Sequence, residues 1–114
     1  MSEENVNVFC YVRGKVQNVM FRQTLMRAAL KRGVVAGATN NKKDRNRVDI
    51  ALEGPASKVT EITEGLKSGK KLNSWNAHAT EFHILETGKA ALEHEVNTSN
   101  VDNIKWKQGV EFYL

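Results

Sequence analysis

Two stretches with helical spacing of apolar residues, each set between runs of strand-forming residues, decide most of what this chain can fold into. The first covers residues 22–32. Phe21, Leu25 and Ala29 recur four apart, with Met26 and Leu30 beside them. Arg27, Lys31 and Arg32 flank that stripe, and Gly33 offers a C-terminal stop. Val59, Ile62 and Leu66 carry the same spacing across residues 57–67, which end at Ser68-Gly69. Residues 6–12 form an apolar and aromatic run on both parities, which predicts a central strand covered on both sides. Residues 34–39 and 48–53 predict two strands paired as a hairpin around NNKKDRNR, the second alternating as V-D-I-A-L-E. Gly54-Pro55 breaks the chain before the second helix. Residues 75–85 are extended in character, and residues 110–113 predict a short last strand.

Helices with one apolar face each must cover the same side of an antiparallel sheet. The predicted class is therefore α+β: a ferredoxin-like α/β sandwich, βαββαβ plus a short C-terminal strand, with two helices on one face. The 114 residues make one domain, 1–114. Between residues 86 and 108 lies a segment rich in Asn, Lys and Glu, within which residues 90–96 suit a short helix or a loop.

Composition narrows the function classes. With 40% apolar and 26% charged residues the chain is globular rather than disordered. A net charge of +4 favours anionic partners without selecting among phosphate compounds, nucleic acid and acidic surfaces. Cys10 is the only cysteine, which excludes an internal disulfide and a multi-cysteine metal site; its setting, VFCYV, predicts a buried small hydrophobe. His78 and His83 are five apart and fall on opposite faces of a strand, and no partner near them or His94 has ligand spacing, so no metal site is predicted. No apolar run approaches the roughly 20 residues that cross a membrane, and MSEENVN lacks the segments of a signal peptide. The expected setting is cytoplasmic. The basic run from Lys42 to Arg47 reads as a solvated hairpin tip, and Trp75 and Trp106 as packing residues.

The stretch RGKVQNVMFR joins the first strand to the first helix. Gly14 admits backbone angles closed to other residues, and Asn18 tolerates positive φ. A loop bent in this way turns successive amide N–H groups inward and forms a concavity for an anion. The helix start behind it favours the same charge, and Arg22 adds a forked pair of donors. A tight turn with a solvated arginine satisfies the same residues, and physics alone leaves both readings open.

GKVQNVMFR closely resembles the acylphosphatase motif Gly-x-Val-Gln-Gly-Val-x-Phe-Arg, with Gly14, Val16, Gln17, Val19, Phe21 and Arg22 matching in place. Asn18 stands where the family usually has glycine. GATNNKKDRNRVDIALEGP is similar to the family's second block, Gly-Trp-Val-x-Asn-x-x-Asp-Gly followed by a strand and Glu-Gly-Pro. There Gly37, Asn41, Asp44, Val48, Glu53, Gly54 and Pro55 correspond, while Ala38 replaces the tryptophan and Arg45 the turn glycine. The resemblance spans about residues 6–85 and agrees with the element order.

It implies that Arg22 and the backbone of Lys15, Val16, Gln17, Asn18, Val19 and Met20 bind the phosphate group of an acylphosphate. It also implies that Asn41 holds the attacking water. Adjacent strand residues face opposite sides, so only one of Asn40 and Asn41 faces the phosphate; the spacing from Gly37 favours Asn41. The implied activity is hydrolysis of a carboxyl–phosphate anhydride by water, without cofactor or metal. Its partners would be a small acylphosphate and inorganic phosphate, with no membrane or nucleic acid, acting as a monomer. The competing reading is a non-catalytic phosphate- or RNA-binding module on the same fold.

Overall fold

The computed structural model describes residues 4–17, 19–104, 106 and 109–114. Its order is β1 (Asn5–Lys15), α1 (Phe21–Arg32), β2 (Val35–Asn40), β3 (Arg47–Pro55), α2 (Ala56–Lys67), β4 (His78–Leu85) and β5 (Val96–Asn97). The strands form one antiparallel sheet in the order β4-β1-β3-β2-β5, as the ferredoxin-like reading requires.

Alternation of side chains explains which face meets the helices. Cys10 and Val12 on β1, Ala36 and Ala38 on β2, and Val48, Ile50 and Leu52 on β3 are all buried. They meet Phe21, Leu25, Met26 and Ala29 of α1 and Val59, Ile62 and Leu66 of α2 in one apolar cluster. Burying side chains of this size stabilises the fold by about 1.5–3 kcal/mol each. Helix α1 stops where the sequence predicts. Gly33 takes φ 70°, and its N–H reaches the carbonyls of Ala29 and Leu30.

The second face of β1 is covered differently from the first. Phe9 and Tyr11 face away from the helices, so no helix closes over them. Instead Gly88 lies against Phe9, and Tyr11 stacks on His83 at 4.8 Å with the Arg47 guanidinium 3.9 Å from its ring centre.

The C-terminal third departs from the sequence expectation. The extra strand is not residues 110–113, where only Phe112 bridges to Asn73, but β5, paired with the outer edge of β2. Residues 90–96 form no helix beyond a single 3₁₀ turn at Ala91–Glu93. The cause is a close crossing. A side-chain carbon at Gly37 would lie 1.9 Å from the Ala91 carbonyl oxygen, so the segment runs tight against the helix-free face of β2. From there it turns the sheet edge at β5 and reaches α1, where Asp102 pairs with Arg27 at 2.6 Å and Val101 enters the core. Trp106 donates to the Val101 carbonyl and packs against that core, as expected of a packing residue. The extended stretch expected from residue 75 begins at His78, because residues 73–76 turn around the buried Asn73 side chain. No helix among the described residues is long and apolar enough to cross a membrane.

Candidate active site

The site is built at the end of the sheet where β1 hands over to α1. Gly14 sits at a register shift between β1 and β4 with φ 139°, and a side-chain carbon there would meet the His78 oxygen at 2.7 Å and the Thr80 nitrogen at 2.8 Å. Only glycine lets the strand turn at this point. Beyond it, Val16, Val19 and Phe21 bury their side chains and pin the loop to the core. No described residue accepts a hydrogen bond from the N–H of Val16, Gln17, Val19 or Met20. Asn18, expected to take part through its backbone, lies outside the described residues.

Met20 is the N-cap of α1 and takes a left-handed conformation, φ 60° and ψ 25°. No side chain caps the helix, and its first turn holds no acidic residue. The positive end of the helix dipole is thus left for something else to satisfy. A left-handed methionine costs about 1–2 kcal/mol, a strain the surrounding contacts must hold in place.

Two anchors hold the loop. Gln17 Nε2 reaches three carbonyls of the β2–β3 hairpin, those of Asn41 at 3.2 Å, Asp44 at 3.3 Å and Arg47 at 2.8 Å. Asn73, fully buried, donates from Nδ2 to the Val19 carbonyl and to Thr24 Oγ1, both at 2.8 Å. Its Oδ1 accepts from the N–H groups of Trp75 and Ala77. Sequence reasoning missed Asn73. The turn-like NSWNA gives no sign that an asparagine there serves a loop 54 residues away.

Arg22 stands on the first turn of α1, half-buried. Its Nη1 donates to Glu95 Oε1 at 3.1 Å, and no described residue takes its other guanidinium N–H groups. Glu95 comes from the segment before β5 and was given no role by the sequence.

Asn40 and Asn41 divide as strand alternation demands. Asn40 is the last residue of β2, opposite Val48, which is opposite Val12 on β1. It therefore stands in line with the end of β1, on the helix-covered face that carries Ala36 and Ala38. Its Oδ1 is buried with no partner among the described residues. Asn41 lies one residue past the strand and turns its carboxamide the other way. Its Nδ2 donates to Asp49 Oδ2 at 3.2 Å, on the helix-free face, and its Oδ1 accepts from the N–H groups of Lys43 and Asp44 at 2.9 Å. Among the described residues, Asn41 meets the loop through its backbone carbonyl, which accepts from Gln17 Nε2.

The titratable groups nearby serve structure. Burial pushes the Cys10 thiol up to about 12, aided by the Asp49 charge, which keeps it protonated and inert. Burial holds the His94 imidazole below its ordinary value, partly offset by the Lys89 carbonyl. His94 Nε2 lies 3.2 Å from that carbonyl and Nδ1 2.9 Å from Thr39 Oγ1. Among the described residues, no three His, Cys, Asp or Glu side chains gather as a metal-binding group.

Fold and site together define a class: a ferredoxin-like domain whose polar centre lies where the first strand meets the first helix. Comparison with known proteins gives the family. A profile described as acylphosphatase matches residues 8–91, and the chain belongs to the acylphosphatase family. An acylphosphatase of Pyrobaculum calidifontis is 41% identical over 94 residues, covering 74% of this chain and 84% of its own. One from Thermobifida fusca is 33% identical over 90 residues, covering 73% and 97%. The crystal structure of an acylphosphatase from Bacillus subtilis matches with a TM-score of 0.60 at 23% identity, covering 77% of this chain and 92% of that one, which supports the fold. The chain is an acylphosphate hydrolase.

Proposed function

We propose that the junction of β1 and α1 performs this hydrolysis by binding the phosphoryl group of an acyl phosphate and presenting it to water. The backbone N–H groups of Lys15, Val16, Gln17, Asn18, Val19 and Met20 and the guanidinium of Arg22 receive the phosphoryl oxygens, in front of the uncapped start of α1. Charge-assisted hydrogen bonds of this kind contribute about 1.5–3 kcal/mol each, so several together hold a dianion. The observation that carries this reading is the set of loop amides that no described residue claims, beside Arg22.

We assign the water to Asn40 rather than Asn41. Asn40 Oδ1 is a buried acceptor without a described partner, and a water donating to it would satisfy it. The Asn41 carboxamide is already committed to Asp49 and to the hairpin turn. Water oxygen then attacks phosphorus in line with the anhydride oxygen. The bond from phosphorus to that oxygen breaks, the carboxylate leaves with the electron pair, and the water's proton passes to solvent. The leaving carboxylate is a weak base, so it needs no acid, and positioning with neutralisation of the phosphoryl oxygens accounts for the rate. The substrate would be a small acyl phosphate, met in the cytoplasm by a monomer.

The test is turnover of benzoyl phosphate by the purified protein with EDTA present and inorganic phosphate as competitor. Metal-independent hydrolysis, inhibited competitively by phosphate, is the expected result. Absence of turnover overturns the reading.

A further inference from the structure

Glu95 pairs with Arg22, the guanidinium to which the proposed function gives the phosphoryl group. Three facts make that contact more than a chance surface pair. The matched family region ends at residue 91, so Glu95 belongs to the part of this chain that continues past it. Its main chain is fixed on both sides, with its N–H on Thr39 Oγ1 at 3.0 Å and its carbonyl accepting from Asn100 Nδ2 at 3.1 Å, just before β5. Thr39 is itself held by His94, whose Nδ1 lies 2.9 Å from the same hydroxyl. The carboxylate is nonetheless loose, 59% exposed and bonded to Arg22 through one nitrogen only.

A carboxylate on a phosphate-binding guanidinium presents the same kind of oxygen acceptors to it as a phosphoryl group does. Building on the acyl phosphate reading above, we propose that Glu95 is a specificity-determining residue of this site. It occupies the Arg22 Nη1 direction, and a phosphoryl group that takes this donor displaces it. The displaced carboxylate stays within one side chain's length of Arg22, because its backbone is tied to Thr39 and Asn100. That distance is inside the screening length of about 8–10 Å at ordinary ionic strength, so the charge still acts on whatever the site holds. It acts most on an acyl group that bears its own negative charge. The chain thereby favours acyl phosphates with neutral or cationic acyl groups over anionic ones.

The contact is a partly exposed ion pair, and such pairs shift an equilibrium by at most about fivefold. Removing the charge in Glu95→Gln, with Glu95→Ala as a second variant, is expected to tighten inorganic phosphate binding by about two- to fivefold, read by calorimetry. Benzoyl phosphate KM is expected to fall by the same factor without loss of kcat. Succinyl phosphate, with a free carboxylate on its acyl group, is expected to gain more than benzoyl phosphate does. Unchanged phosphate affinity overturns the proposal, as does a fall in kcat, which would make Glu95 a positioning residue for Arg22. Equal gains for the two substrates overturn the selection against anionic acyl groups. Calorimetry reads phosphate without turnover, so tighter binding by an inactive protein would sustain the competition at Arg22 while removing the enzymatic reading.

Discussion

Asn40 and Asn41 are neighbours in the chain and serve opposite sides of the sheet: Asn40 ends β2 on the helix-covered face, and the Asn41 carboxamide bonds to Asp49 on the other. Their variants should therefore fail differently. Asn40→Ala is expected to lower kcat for benzoyl phosphate about 10²-fold with little change in the urea midpoint, since one transition-state contact is lost. Asn41→Ala is expected to keep kcat within about twofold and to lose about 1–2 kcal/mol of stability, because the turn amides of Lys43 and Asp44 lose their acceptor. Steady-state kinetics and urea unfolding on both variants check this. The reverse pattern would return the water to Asn41.

The Asn73 side chain ties together the loop, the first turn of α1 and the turn before β4. Its replacement by alanine strands the Val19 carbonyl and the N–H groups of Trp75 and Ala77. Two or more unsatisfied buried groups cost about 2–4 kcal/mol together, measurable by urea unfolding. The loop loses its anchor in the same variant, so phosphate affinity is expected to fall as well. A variant with intact stability would show that water replaces those bonds.

Gly37→Ala tests the crossing of the C-terminal segment. The added carbon has no room against the Ala91 backbone, so either β2 or the segment must move. A loss of at least about 1–3 kcal/mol is expected from overpacking alone. Thermal unfolding with a midpoint equal to wild type would contradict the tight crossing.

His94 makes stability depend on pH. Burial lowers its folded pKa below that of the unfolded chain, so folding favours the neutral ring. That contribution is complete above the unfolded value of about 6.5 and is lost as pH falls through it toward the folded value. Protonation would also end acceptance of the Thr39 hydroxyl at Nδ1. Lys89 opposes the charged ring, while Asp49 and Glu93 favour it less strongly than burial disfavours it. Between pH 7.5 and pH 5 the wild-type Tm is expected to fall further than that of His94→Gln, where the titrating ring is gone. Parallel falls in the two proteins would remove His94 as the cause.

Much of the architecture was legible because its signals are local. The four-residue spacing of Phe21, Leu25 and Ala29, the stop at Gly33 and the alternation of Val48, Ile50 and Leu52 each depend on near neighbours. The place of the loop was legible too, since it falls between the strand and the helix that local patterns mark. What stayed hidden depends on long-range placement. The strand-end position of Asn40 and Asn41 turns on one residue of register, and spacing from Gly37 does not resolve it. Asn73 and Glu95 meet the site from residues 49 to 73 positions away, through polar contacts that leave no periodic trace. The final strand was misplaced for the same reason. Residues 110–113 have the right composition, but Val96 and Asn97 are the residues that the crossing at Gly37 delivers to the free edge of β2.

If Arg22 and the loop amides hold the phosphoryl group together, Arg22→Gln removes the part of that grip supplied by charge. Inorganic phosphate binding by calorimetry and benzoyl phosphate turnover should be measured on wild type and on this variant, with the urea midpoint as a control for folding. The structure predicts a folded variant with turnover reduced at least 10²-fold and phosphate affinity lost. A folded Arg22→Gln protein that still binds phosphate and turns over at the wild-type rate would contradict it.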